Sequence, residues 1–130
     1  ITALIFKILR LQRSLSPVAR NAEWATLFLR LKEMLQQKIA ETRNAEDYAG
    51  MLGTSYRHLN QVCNGMTGMT AKKFIDNWLL LEIKKEIATS NISVKELAWK
   101  YGFSEPTNFV KYFQKREGVT PRRFRDSLQK

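Results

Sequence analysis

The sequence is poor in the residues that build cross-linked or metal-held scaffolds. Its 130 residues include one cysteine and one histidine, so a disulfide framework and a cysteine-based zinc site are both excluded. Only three prolines and six glycines interrupt the chain, and residues that favour helices dominate the rest. The composition therefore predicts an all-α fold with one modest hydrophobic core. With so little cysteine, we expect a reduced, cytoplasmic environment.

Acidic residues are also scarce relative to basic ones. The sequence has 22 Lys and Arg against 12 Asp and Glu, a formal net charge of +10. Such an excess is typical of proteins that bind a polyanion, most often a nucleic acid and less often an anionic membrane surface. The alternative is a basic protein that its charge merely keeps soluble.

The first fifteen residues are apolar, but they do not resemble a membrane span or a signal peptide. Lys7 and Arg10 interrupt them, whereas a span needs about 20 apolar residues. Because the chain starts at Ile1 rather than methionine, we expect residues 1–20 to be an N-terminal helix or the remnant of a linker. The preceding part would then supply a homodimer contact. Four aliphatic residues at helical spacing predict a docking helix or a short coiled-coil seam: Leu4, Ile8, Leu11 and Leu15.

A second amphipathic run predicts a helix from about residue 22 to residue 42. It follows a break at Ser16 and Pro17. Asn44 then has the character of an N-cap for the next helix, with Asp47 three positions later. The apolar face of the run consists of Trp24, Leu27, Phe28, Leu31, Met34 and Leu35.

The rest of the chain repeats itself with a period near fifty residues. Residues 68–74 read GMTAKKF and residues 118–124 read GVTPRRF. Two copies at this period indicate a duplicated supersecondary unit rather than a solenoid. One extra residue falls in the second copy, between Ser104 and Phe109. Further pairs support the alignment: Ala49 with Ala98, Gly53 with Gly102, Ser55 with Ser104, Leu59 with Phe109, Cys63 with Phe113, and Phe74 with Phe124.

Each copy predicts a short helix, a turn that contains glycine, and a second helix. The first helices cover about 45–52 and 93–101, and the second cover roughly 55–65 and 105–116. Ser93 and Glu96 form a capping box at the start of the second copy. Helix, turn and helix in this order are the outline of a helix-turn-helix unit, although many helical hairpins share it.

The second helix of each copy carries amides and cations on the face opposite its apolar residues. Such groups bond base edges and phosphates in the major groove of DNA. Neither outward face contains an acid, which distinguishes both from an ordinary solvated face. The outward residues are Arg57, Asn60, Gln61 and Asn64 in the first copy, and Thr107, Asn108, Lys111 and Lys115 in the second. The inward residues are Leu59, Val62, Cys63, Phe109, Tyr112 and Phe113.

The second copy, SVKELAWKYGFSEPTNFVKYFQKREGVTPRRFR, resembles the signature of the AraC/XylS family of bacterial transcriptional regulators. The resemblance covers about residues 44–127. The positions that match are Leu97, Ala98, Gly102, Phe103, Phe109, Lys111, Phe113, Gly118, Thr120, Pro121, Phe124 and Arg125.

The resemblance implies a DNA-binding domain over residues 21–130. Its two helix-turn-helix units, at about 45–66 and 93–117, would be joined by a long linker helix at about 71–89. Each unit would place its second helix in the major groove of double-stranded DNA. A linker of this length spans roughly 28 Å, which suits two recognition helices about one DNA turn apart.

The outward faces and the repeated phrase together give the expected DNA contacts. Thr70 and Thr120 should N-cap the helices that follow them, where free N–H groups and paired cations suit a phosphate. We expect base contacts from Arg57, Asn60, Gln61, Thr107, Asn108 and Lys111. We expect phosphate contacts from Ser55, His58, Asn64, Thr70, Lys72, Ser104, Lys115, Thr120 and Arg122. No metal ligand set, catalytic motif or cofactor motif is present, so we expect no cofactor.

The first recognition helix departs from the family pattern. Gln61 stands where arginine is common, Cys63 replaces a usual phenylalanine, and Asn64–Gly65 replaces a basic pair. Glycine inside a helix costs about 1 kcal/mol relative to alanine. We therefore expect this helix to be shorter or looser, and less basic, than its counterpart.

Three functions fit the sequence. The first is the sequence-specific DNA-binding domain of a bacterial transcription factor, with RNA polymerase as a further partner. The second is a basic helical module that docks an acidic partner protein. The third is a DNA-modifying enzyme, which is disfavoured because its reactive centre would need Cys and His together while Cys63 is predicted to be buried. We therefore expect no enzymatic activity.

Overall fold

The computed structural model describes residues 17–129, and these residues form seven helices with no β-strand among them. The expectation of an all-α fold is thereby confirmed. The aliphatic stripe predicted in residues 1–15 lies outside the described residues. The helices are α1 (Pro17–Lys38), α2 (Ala45–Met51), α3 (Tyr56–Thr67), α4 (Ala71–Thr89), α5 (Val94–Lys100), α6 (Pro106–Glu117) and α7 (Pro121–Leu128).

Helix α1 begins and ends earlier than the sequence pattern predicted, at Pro17 and Lys38 rather than at 22 and 42. The N–H groups of Glu41 and Thr42 bond back to the carbonyl of Lys38, at 2.9 and 3.1 Å, which closes a turn after the helix. The apolar face is as predicted toward its C-terminal end, where Leu31 and Leu35 are fully buried.

The first helix-turn-helix unit consists of α2 and α3. Asn44 is the N-cap of α2, as predicted, and its side-chain oxygen accepts a bond from the N–H of Glu46 at 3.0 Å. Asp47 does not complete a capping box; it accepts a hydrogen bond from the hydroxyl of Thr42 at 2.6 Å. The hydroxyl of Tyr48 donates to the carbonyl of Thr42 at 2.7 Å. The loop before α2 is therefore tied to the helix by side chains.

The expectation of a shortened α3 is wrong. The helix runs for 12 residues to Thr67, the same length as α6. Gly65 lies inside it and packs beneath the indole of Trp24 from α1. The indole occupies the space that a Cβ at this position would need, which accounts for the glycine.

The repeated phrase is a junction between two helices. Gly68 and Gly118 end α3 and α6 in the left-handed conformation, with φ of 76° and 81°, which only glycine adopts without strain. Two residues later, Thr70 and Thr120 are the N-caps of α4 and α7, as predicted. Each hydroxyl accepts a bond from the N–H three residues on, at 3.2 Å. Each recognition helix is thus fixed to the helix that follows it.

The linker helix α4 has the predicted bounds, Ala71–Thr89. Its buried face includes Ile75, Leu79 and Ile83. Leu81 is apolar but 50% exposed, because it lies two positions from both Leu79 and Ile83 and so points away from their face.

The second unit consists of α5 and α6 and is filled by aromatic side chains. Phe109 and Phe113 are fully buried. Phe103 lies 5.2 Å from Phe109, and Phe124 of α7 lies 5.6 Å from Phe113, measured between ring centroids. The extra residue of this copy makes its turn differ from that of the first unit: the N-cap of α6 is Glu105, which makes no side-chain cap bond. Ser104, aligned with the N-cap Ser55 in sequence, precedes it.

Candidate nucleic-acid interface

The N-terminal part of α3 presents polar side chains to solvent. Arg57 and Gln61 are exposed, and Asn64 is exposed one turn later. Asn64 donates to the carbonyl of Asn60 at 3.2 Å, so its amide is partly engaged with the helix. Arg57 has no ion pair among the described residues. Two of the three expected base contacts of α3 are therefore free to meet a partner.

Asn60 has a different local role. It is half-buried, and its side-chain oxygen accepts a hydrogen bond from the N–H of Ala71 at 2.9 Å. Ala71 is the first residue of α4, whose N–H has no acceptor within its own helix. An asparagine that reads adenine uses both its oxygen and its nitrogen. Because the side-chain oxygen of Asn60 already accepts a hydrogen bond from α4, the structure disfavours the expected bidentate contact with adenine. Asn60 instead connects α3 to the start of α4.

The outward face of α6 is more basic than that of α3. Thr107, Asn108, Lys111 and Lys115 are all exposed. Asn108 donates a long bond of 3.4 Å to the hydroxyl of Ser104. Neither lysine pairs with a carboxylate within residues 17–129. The four side chains predicted from the second copy thus share one open face.

Most of the expected phosphate contacts lie at helix starts, whereas Asn64 and Lys115 lie toward the C-terminal ends of α3 and α6. Ser55 caps α3 by accepting from the N–H of His58 at 3.0 Å, and Thr70 and Thr120 cap α4 and α7. In each case the hydroxyl oxygen accepts and its hydrogen remains available to a phosphate. Lys72 and Arg122, two positions after the threonine caps, are exposed. Both junctions therefore offer a donor, a cation and the positive end of a helix.

Ion pairs that the sequence pattern did not predict attach the second unit to the linker helix. Asp76 of α4 accepts a bond from the hydroxyl of Tyr112 at 2.9 Å and forms an ion pair with Arg116. One further pair joins Lys84 of α4 to Glu117 at 3.2 Å. Their sequence separations exceed 30 residues, so no local pattern could have revealed them.

The far end of α4 is attached in the same way. Glu86 accepts a bond from the hydroxyl of Tyr101 at 2.8 Å and pairs with Lys100. Burial together with the Glu86 carboxylate raises the pKa of Tyr101, so the phenol stays protonated as a donor. With contacts at both ends, α4 holds α5 and α6 in a fixed orientation.

A cleft of about 450 Å³ lies between the two units, at the start of α4. Its lining includes Arg43, which the sequence analysis did not single out, and Lys72 and Lys73. The guanidinium of Arg43 lies 5.0 Å from the ring centre of Phe103 and 5.4 Å from that of Tyr112. An arginine from the first unit therefore rests on aromatic rings of the second.

Other kinds of site find no support in the described part of the chain. No group of three or more His, Cys, Asp or Glu side chains within residues 17–129 could hold a metal ion. No helix there is long and apolar enough to cross a membrane. Cys63 is fully buried, and burial raises the pKa of its thiol to about 11. A reactive thiolate is therefore disfavoured.

The fold and this surface define a double helix-turn-helix domain, and comparison with known families agrees. A family model described as a helix-turn-helix domain matches residues 48–127. The chain belongs to this family, the AraC-type helix-turn-helix proteins.

Particular relatives and solved structures support the same assignment. The probable transcription factor PqrA of Proteus vulgaris is 30% identical over 79 residues, which are 61% of this chain and 65% of PqrA. The DNA-binding domain of AdpA, solved with a target DNA, is 22% identical and superposes with a TM-score of 0.67, over 82% of this chain and 92% of that one. An AraC-type regulator from Chromobacterium violaceum gives a TM-score of 0.71 at 20% identity, over 82% and 96%. At these identities, the two structures establish the fold.

The chain spans less than two thirds of the length of PqrA, and 36% to 37% of the length of several other curated relatives.

Proposed function

We propose that this chain is the sequence-specific DNA-binding domain of a bacterial transcriptional regulator, and that it inserts α3 and α6 into adjacent major grooves. The observation that carries the proposal is the pair of acid-free outward faces on two helices that one continuous linker helix joins. Exposed amides and cations on a recognition helix are the groups that read base edges. The net charge of +10 supplies the attraction to the phosphate backbone.

Base reading falls to the exposed residues at the middle and start of each recognition helix. These are Arg57 and Gln61 on α3, and Thr107, Asn108 and Lys111 on α6. Phosphate contacts fall to the caps and their cations, namely Ser55, His58, Asn64, Thr70, Lys72, Ser104, Lys115, Thr120 and Arg122. Asn60 is assigned to positioning α3 rather than to bidentate reading. Because α6 carries two free lysines where α3 carries one arginine, α6 contributes more to affinity.

The regulatory role rests on the relatives. PqrA is described as a probable transcription factor, and other relatives are described as transcriptional activators. We extend activation to this chain, with RNA polymerase as the partner it recruits and a part outside this chain as the dimer contact. A regulator of bacterial genes acts in the cytoplasm, and this role requires neither catalysis nor a cofactor.

Selection from a random duplex pool, followed by titration at fixed salt, tests the proposal. We expect the selected duplex to bind at least a hundredfold more tightly than a scrambled duplex of the same length, since specific DNA binding usually exceeds non-specific binding by 10³ or more. A double variant, Arg57→Ala with Lys111→Ala, should lose this preference while retaining salt-dependent binding to any duplex. The matched control is Lys85→Ala, which removes one exposed cation from the linker helix.

The same experiment discriminates the basic protein-interaction module. Such a module would bind both duplexes equally, and an acidic polypeptide such as polyglutamate would displace either with similar efficiency. Equal affinity for selected and scrambled duplex would overturn sequence-specific binding.

A further inference from the structure

We infer that Arg43, together with Lys72 and Lys73, binds the sugar-phosphate backbone of the DNA segment between the two major grooves. This inference rests on the proposed function and adds a third point of contact, in the cleft between the two helix-turn-helix units. The contact would be to phosphates and would therefore not depend on the base sequence.

The cleft has the charge that such a contact needs. Arg43, Lys72 and Lys73 have no ion pair in the described part of the chain. The acid in the lining, Asp76, is already paired with Arg116 and bonded to Tyr112. The uncompensated charge in the cleft is therefore positive, and two of its three cations lie in the first turn of α4.

The cleft also lies between the two recognition helices, where the DNA backbone would pass. An adjoining cleft of about 350 Å³ shares Arg43 and Lys72 in its lining and extends to Tyr56, the first residue of α3. On its other side the first cleft reaches Tyr112 of α6. The adjoining cleft also carries one acid, Glu46. Arg43, Lys72 and Lys73 outnumber it, so the two clefts together form a surface of net positive charge between the recognition helices. When two helices occupy adjacent major grooves, the backbone that flanks the intervening minor groove lies between them.

The internal repeat indicates that the position of Arg43 does not require a cation for folding. It precedes the N-cap Asn44, and the residue that precedes the equivalent N-cap Ser93 is Ile92. Ile92 is half-buried and packs against the core. Arg43 is exposed, and its guanidinium rests on Phe103 and Tyr112, where cation–π attraction restrains it without neutralising its charge. A restrained cation loses less side-chain entropy when it binds a phosphate.

Neutral phosphate analogues test the contact directly. The duplex selected for this protein is synthesised with single methylphosphonate linkages at each position between the two contacted grooves. We expect the unmodified protein to lose severalfold in affinity at one or two of these positions. The Arg43→Ile variant, which installs the residue of the other copy, should show a smaller loss, because only Lys72 and Lys73 remain in the cleft. Its salt slope should be lower by about 0.9 for each phosphate contact removed.

Two controls separate this contact from other effects of charge and folding. Lys85→Met removes a cation about 20 Å further along α4, beyond the Debye length, and should retain the full methylphosphonate effect. The double variant Lys72→Met with Lys73→Met alters only exposed side chains, so it keeps the test valid if Arg43→Ile folds poorly.

Each outcome has a defined meaning. If Arg43→Ile weakens binding but suffers the same methylphosphonate loss as the unmodified protein, Arg43 acts only by holding the two units together and the inference fails. If no methylphosphonate between the grooves affects the unmodified protein, it fails as well, while sequence-specific binding stands. A protein without preference for any duplex would instead refute the proposed function.

Discussion

The indole ring of Trp24 in α1 lies where any side chain at position 65 of α3 would have to be. A Cβ built on Gly65 would come within 2.3 Å of the ring carbon Cζ3 and 2.7 Å of Cε3. Both distances are far below van der Waals contact, so the two helices approach this closely only because position 65 lacks a side chain. Packing of α1 on α3 therefore accounts for a glycine that helix propensity alone disfavours.

Alanine at position 65 should destabilise the protein. On an uncovered helix, Gly→Ala would stabilise by up to about 1 kcal/mol. Here the added methyl displaces Trp24, and overpacking of this kind costs about 1–3 kcal/mol. We expect Gly65→Ala to lower the free energy of unfolding, measured by urea denaturation.

The sign of that effect should reverse when the indole is removed. In a Trp24→Ala background, Gly65→Ala should raise the free energy of unfolding, because only the propensity gain remains. A destabilisation of equal size in both backgrounds would show that Trp24 is not the obstacle.

Lys111 and Arg122 should affect DNA binding in different ways. Lys111 is exposed on the outward face of α6, whereas Arg122 is exposed in the first turn of α7. Lys111→Ala should weaken binding to the selected duplex by about 1–3 kcal/mol and relax the preference at one base pair. Arg122→Ala should weaken binding to all duplexes alike and lower the salt slope by about one.

Competition assays with single-base variants of the selected duplex distinguish the two effects. Arg123→Ala is a matched comparison for Arg122, since the neighbouring cation is also exposed on the same helix. Unchanged affinity and unchanged base preference in Lys111→Ala would remove Lys111 from the reading surface.

The two units should engage DNA as a rigid pair. Helix α4 contains neither glycine nor proline, and the contacts of Asp76 and Glu86 attach the second unit near both of its ends. Inserting about 5 bp between the two contacted grooves turns the second groove to the far side of the duplex. Inserting about 10 bp restores its face but moves it by about 34 Å. We expect either insertion to reduce affinity and salt slope to those of one unit.

The duplex with the 10 bp insertion distinguishes a rigid linker from a flexible one. A flexible tether would still raise the effective concentration of the second unit and retain part of its contribution. Full affinity on that duplex would mean that α4 bends or that one unit alone binds. The Asp76→Ala variant, which removes one attachment, should show a smaller loss on insertion than the unmodified protein.

Stability should fall at alkaline pH as tyrosines ionise. Burial, followed by the carboxylates of Glu41 and Asp47, raises the pKa of Tyr48 to about 12 from an ordinary 10. The native state therefore holds a proton that the unfolded state loses first, so the stabilisation is complete below pH 10 and declines as the pH rises toward 12. Tyr48→Phe should reduce the slope of unfolding free energy against pH in this window.

The same variant should be less stable at neutral pH by about 1 kcal/mol, because the bond from the Tyr48 hydroxyl to the Thr42 carbonyl is lost. Tyr56→Phe is the control, since Tyr56 is 41% exposed. Part of the slope should persist, because burial also raises the pKa of Cys63 to about 11. An identical pH profile for Tyr48→Phe and the unmodified protein would contradict this account.

Local patterns in the sequence predicted several helix ends. The N-caps Asn44, Thr70 and Thr120 and the glycine turns follow from residue type and spacing. The bounds of α4 were implied by the family resemblance, and both ends of α1 differ from the expectation by four to five residues. The expectation of a shorter α3 failed because the packing of Gly65 depends on a distant neighbour, the Trp24 ring of α1. Contacts between distant residues, such as Arg43 on Phe103, leave no periodic signal, so they emerge only from the fold.

The length of α4 also sets how far the second unit is rotated about the helix axis relative to the first unit. Every residue in an α-helix adds about 100° of rotation and 1.5 Å of rise. Deleting one residue from α4 would therefore swing the second unit about a quarter of a turn around the helix axis, away from the DNA face shared with the first. Turns impose no such constraint, as the additional residue before α6 shows. Length variation among proteins with this architecture should accordingly accumulate in the turns, with the linker helix constant in length.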